Sequence, residues 1–197
     1  MDGKHKNALI GALLAVVFVM AVGYAAFAQL LTINGTATIN SSWDVHFDPS
    51  LTTATATNTS DGTTSATGSI AYSDTSSAPT VATLTANLVS PGDTVTFTVK
   101  PTNYGSLSAR AASAATLQAN DQTTVVNPDG QSAHSEQGNI VWTIVSASNN
   151  TLTGANGGSP AAANQDTIVV KAELTGSGSI AAQSSSVKIE LNYQQVS

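Results

Sequence analysis

Two hydrophobic patterns divide this chain. From Ala8 to Leu31 an apolar run carries no charged residue, and from Leu31 onward apolar and polar residues alternate. The switch falls inside "AAFAQLLTINGTATI". Leu31, Ile33, Gly35, Ala37 and Ile39 share one face, and Thr32, Asn34, Thr36 and Thr38 share the other. Period-two alternation of this kind predicts a half-buried strand. "SWDVHFD" predicts a second strand with Trp43, Val45 and Phe47 inward. Residues 50–69, rich in Thr, Ser and Ala, predict a long loop or weak edge strands.

The clearest signal lies mid-chain in "LVSPGDTVTFTVKPTNYGSLSARA". Pro91-Gly92 suits a type II turn, because Pro presets φ at the second position and Gly accepts positive φ at the third. Val95, Phe97 and Val99 then alternate with Thr94, Thr96 and Thr98. Asn103-Tyr104-Gly105 predicts another turn, and Leu107, Ala109 and Ala111 open a further alternating run. "GNIVWTIVSA", "DTIVVKAEL" and "SSVKIELNYQ" add three strands, separated in part by the loop "NNTLTGANGGSPAAANQ". The pattern places Trp142, Ile168, Val170, Ile189 and Leu191 in the interior as well. No amphipathic helix follows the leader, so the prediction is an all-β chain: one β-sandwich of Ig-like or jelly-roll type over residues 29–197.

Composition supports β structure and removes some functions. The chain is 41% apolar and only 9% charged, with about a quarter of its residues Ser or Thr. Disordered chains combine low hydrophobicity with high net charge, which is not the case here. Six basic residues against twelve acidic ones leave no cluster able to replace the counterions of a nucleic acid. With no cysteine, disulfides and thiolate metal sites are excluded.

The start reads as an export signal. "MDGKHKN" carries two lysines ahead of the apolar run, and Ala26-Phe27-Ala28 offers a small-x-small cleavage pattern. Residues 1–28 are then a signal peptide cut between Ala28 and Gln29, with signal peptidase as a partner. An uncleaved anchor is the other reading, since about 20 apolar residues can span a bilayer. Either way the remainder is expected outside the cytoplasm, touching the membrane only through an uncleaved leader.

The leader running into "LLTINGTATINSSWDVHFD", the central "SPGDTVTFTVKPTNYGSLSA" and the terminal "VKIELNYQQ" together resemble the TasA/camelysin family of secreted biofilm-matrix proteins. They are also similar to archaeal bundling pilins. The resemblance implies an extracellular filament built from copies of the chain, with an N-terminal strand (residues 29–39) donated to the next subunit. The family's bacterial leaders often end near an aromatic-aspartate pair such as "AYFSD", whereas this one ends "AAFAQ". That departure implies ordinary signal peptidase.

Candidate chemistry is thin. Asp44, His46 and Asp48 alternate onto one face and are weak metal candidates. Neighbours two apart on a strand stand about 6.6 Å apart, so the reading set beside it is a solvated polar face. The camelysin name implies a metalloprotease, but His5, His46 and His134 form no H-E-x-x-H pattern. No G-x-S-x-G elbow appears. The expectation is a non-enzymatic protein without cofactor, with His46 and His134 exposed. A secreted metalloprotease and a membrane-anchored adhesin are the alternatives. Asn34, Asn40, Asn58 and Asn149 begin N-x-[ST] sequons, which a Ser/Thr-rich chain produces by chance.

Overall fold

The computed structural model describes residues 3–27, 41–58, 65–72, 78–156, 158–178 and 180–196, and within the first of these the side chains of residues 5–8 and 10–20. The chain divides into two units, Met1–Ile39 and Asn40–Ser197. The first contains helix α1, Gly3–Phe27. Over its described residues no helix is long and apolar enough to cross a membrane. Those residues cover only part of the uncharged run that continues to Leu31.

The second unit is all β, as the alternation predicts. Its strands, in order, are β1 Val45–Phe47, β2 Thr53–Thr57, β3 Thr67–Tyr72, β4 Val81–Leu88 and β5 Thr94–Val99. Then follow β6 Pro101–Asn103, β7 Ala109–Ala111, β8 Leu117–Ala119, β9 Thr124–Val126 and β10 Ser132–Ser135. The last four are β11 Ile140–Ala147, β12 Ile168–Leu174, β13 Gln183–Glu190 and β14 Tyr193–Gln195. A six-stranded sheet runs β2-β5-β12-β11-β10-β9, and a four-stranded sheet runs β3-β4-β13-β8. Two small ribbons, β1-β6 and β14-β7, complete the set. Every pairing is antiparallel, which hairpins and short crossovers permit.

The core lies between the two large sheets, where alternation turns one face of each strand inward. Val95, Phe97 and Val99 from β5 meet Leu84 and Leu88 from β4 and Val187 and Ile189 from β13. Trp142 stacks on Phe97 with ring centroids 5.6 Å apart. Its indole Nε1 donates to Ser185 Oγ of the opposite sheet at 3.0 Å, so the one polar atom of a fully buried Trp is satisfied. The Pro91-Gly92 turn forms as expected: Gly92 has φ 91°, and Asp93 N donates to Ser90 O at 2.9 Å. The Asp93 carboxylate also accepts the Val89 and Ser90 amides, which fixes the turn from inside.

Several expectations change. Trp43 was expected inward but is 45% exposed, because β1 starts only at Val45 and backbone bonds to 104–107 hold the residues before it. His46 and Asp48 were expected in solvent, yet each is only 7% exposed. They lie in and beside a short end ribbon, covered by Tyr104, instead of on the wet face of a large sheet. His134 belongs to β10 and is half-buried, not in an exposed loop. Leu191 is half-buried because β13 stops at Glu190 and the chain crosses to pair with β7. Residues 50–69 contribute β2, an exposed edge strand, and the start of β3.

Candidate functional site

Sequence alternation singles out the stretch around His46, and the structure gives it a definite geometry. His46 Nδ1 lies 2.7 Å from Asp44 Oδ1. The imidazole stacks on Tyr104, with centroids 4.4 Å apart and planes 6° from parallel. Tyr104 donates its hydroxyl to Asp48 Oδ2 at 2.5 Å, while Asp48 Oδ1 accepts both the amide and the hydroxyl of Ser50. The two carboxylates therefore face different partners, and Asp44, His46 and Asp48 do not converge on one point. Among the described residues no group of three His, Cys, Asp or Glu side chains is placed to hold a metal ion.

Electrostatics follow from these bonds. Burial alone would raise the Asp48 pKa, but hydrogen bonds from Ser50 and Tyr104 and the nearby His46 outweigh it, so the carboxyl is held below its ordinary value. Burial, then the bond to Asp48 and its charge, push the Tyr104 phenol up to about 12.

The same network secures the point where the chain enters the sandwich. Ser42 O accepts the amides of Ser106 and Leu107, and Asp44 O accepts those of Tyr104 and Gly105. A Cβ at Gly105 would collide with the Ser42 carbonyl, so this close backbone approach needs glycine.

A second feature had no flag in the sequence. A groove of about 380 Å³ is lined by Ala147 at the end of β11, by Ser148 and Asn149 after it, and by the segment 113–116. Ile168 and Leu191 contribute apolar lining, with Ala111, Ala115 and Ala147 beside them. Behind it Asp166, with no solvent exposure, accepts from the Tyr193 hydroxyl at 2.7 Å, from Ser148 Oγ at 2.9 Å and from Asn150 N at 3.0 Å. Burial, and then its bond to Asp166, raise the Tyr193 pKa. The acidic residue ties three separate segments together. Only the period of "SSVKIELNYQ" hinted at a buried Tyr193, and nothing local pairs it with Asp166.

Ala28, Gln29, Leu31, Ile33, Gly35, Ala37 and Ile39 lie outside the described residues, as do the sequons at Asn34 and Asn40. Asn58 spends its carbonyl on the Ala66 amide at 2.6 Å, and Asn149 is exposed. No family model, curated protein or solved structure matches this chain. Chemically, the His46 cluster can brace the entry of the chain, and the groove can receive an apolar segment.

Proposed function

We propose that this is a secreted structural protein whose mature copies polymerise into extracellular filaments, residues 29–39 of one copy pairing as a strand with the next. The observation that supports it most is the order of segments along the chain. The apolar run is followed by the alternating segment 29–39, and after it comes a sandwich whose buried core residues, among those described, run from Val45 to Ile189. A strand with one apolar face gains from covering that face, and an open sheet edge is a template for it. On this reading the protein is TasA-like, is not an enzyme, needs no cofactor and has itself as its main partner.

The test is Ile33→Asp in the exported protein. A charge in a face that becomes buried on pairing is costly without a partner. The variant is expected to be secreted and folded but to show no filaments by electron microscopy. Normal filaments from it would remove residues 29–39 as the joint, and an unfolded variant would place the strand in its own domain.

A further inference from the structure

We propose that the acceptor for residues 29–39 is the unpaired half of β11 together with the groove beside it, on a second copy of the chain. This rests on the strand-exchange reading above and adds where the strand lands. On one edge β11 pairs with β12 through to Ala147. On the other, β10 pairs only Val141–Thr143, and the last backbone bond runs from Ile144 N to Gln131 O at 2.9 Å. Beyond it Val145, Ser146 and Ala147 are exposed, with no strand on that side among the described residues. The register shifts between Ile144 and Ser146, a bulge that leaves Val145 58% exposed.

Ala147, at the end of this unpaired edge, lines the groove, and the segment 113–116 lines it as well. Gly130 O accepts the Leu117 amide at 2.7 Å, and Gln131 Nε2 donates to Ala115 O at 2.9 Å, so the segment from Ala115 onward is fastened to the start of β10. The groove meets the unpaired edge at Ala147, and its 380 Å³ falls in the roughly 300–1,000 Å³ range of pockets that enclose a ligand. An edge alone binds backbone without selection, and a cleft alone takes side chains without register. Here one place offers both, as strand addition requires.

The occupant follows from chemistry and length. Among the described residues that line the groove Glu190 alone is charged, and residues 29–39 carry no charged side chain. Leu31, Ile33, Ala37 and Ile39 alternate at the two-residue spacing that sends side chains into a cleft beside a paired edge. Thr32, Thr36 and Thr38 would face outward, as Thr94, Thr96 and Thr98 do on β5. Eleven residues reach roughly 36 Å when extended, more than the half-edge of three residues needs. Ser148 and Asn150, held by Asp166, keep the end of β11 in place for the incoming strand.

The absence of native cysteine makes disulfide trapping clean. Two full-length chains are exported together, one carrying Ile33→Cys or Ala37→Cys and the other Ala147→Cys, and the filaments are oxidised. The expected result is conversion of the monomer band to a mixed dimer on a non-reducing gel. Val145→Cys serves in place of Ala147→Cys if the latter is not secreted. Pairs with Val125→Cys on β9 or Ala54→Cys on β2, the outer strands of the six-stranded sheet, should remain monomeric. Filaments that cross-link to β9 or β2 instead would overturn this acceptor while leaving strand exchange intact. A doubly substituted chain that closes on itself as a monomer would show the arm filling its own groove, and would overturn the second copy. Failure of the unsubstituted protein to form filaments would defeat the functional reading itself.

Discussion

His46 shows what a single residue's neighbours do to a reading made along one strand. Alternation places it opposite Val45 and Phe47, and on a large sheet that face would be wet. The ribbon it belongs to lies at the end of the sandwich, and Tyr104, distant by 58 positions, covers it. No local pattern encodes that partner. His46→Ala is therefore expected to cost stability, about 0.5–3 kcal/mol, through loss of the stacked ring and its carboxylate bond. A melting temperature equal to the parent's would mean the ring contributes nothing. The Asp48–Tyr104 pair makes a pH prediction at the same scale. The Asp48 pKa is depressed on folding, so its contribution is present above the ordinary value of 3.8 and is lost as pH falls through the lower folded value. The Tyr104 pKa is raised from 10.0 to about 12, so its contribution is present below about pH 10 and is lost as pH climbs toward 12. Thermal melts followed by circular dichroism should show both limbs, with Asp48→Asn flattening the acid one and Tyr104→Phe the alkaline one. Unchanged profiles in both variants would contradict the assignment.

Strands were legible where large and polar residues alternate strictly. β5 reads TVTFTV, and its Val95, Phe97 and Val99 are fully buried while the threonines between them are half-exposed. β12 and β11 follow the same logic. β4 was missed, although Ala82, Leu84, Ala86 and Leu88 alternate just as regularly, because two of the four inward residues are only alanines. Ala82 lies opposite Ile189 of the neighbouring strand β13, and Ala86 opposite Ser185. β3 hides in the same way: Gly68 sits where a Cβ would press on Val95 and Phe97, so its lack of a side chain is itself a packing feature. Phe97 is the centre of this element-level packing, between Trp142 and the β2–β3 side. Phe97→Ala should cost about 3–5 kcal/mol, since it removes a fully buried ring and leaves a cavity. Chemical denaturation would read this directly, and a loss under about 1 kcal/mol would mean the surrounding side chains collapse into the space. The groove was not legible at all. It is lined by the end of β11 and by residues where β13 hands the chain over to β14, and both depend on where pairing stops.

At the scale of the whole molecule, the order of segments carries the argument. An uncharged apolar run comes first, an alternating stretch abuts it in the sequence, and the sandwich begins near residues clamped by Tyr104, Gly105, Ser106 and Leu107. On the proposed reading that order couples export to assembly. While the leader is attached, residue 29 starts at the membrane, and the strand that follows cannot extend freely into a neighbour. About 20 apolar residues are enough to hold a chain in a bilayer. Cleavage then releases an N-terminus that is already a strand in sequence. Ala28→Leu isolates this step, because it replaces the small residue that signal peptidase needs and leaves residues 29–197 untouched. The variant is expected to stay cell-associated at the unprocessed mass, with a sandwich as resistant to proteolysis as the parent's, and to form no filaments. Cell fractionation, mass spectrometry and electron microscopy of one culture would read all three. Filaments assembled from unprocessed chains would break the coupling, since the arm would then reach its acceptor with the leader still attached. Processing at another bond would be visible as a shifted mass, and filaments from that product would show that the arm tolerates a different first residue while still requiring release.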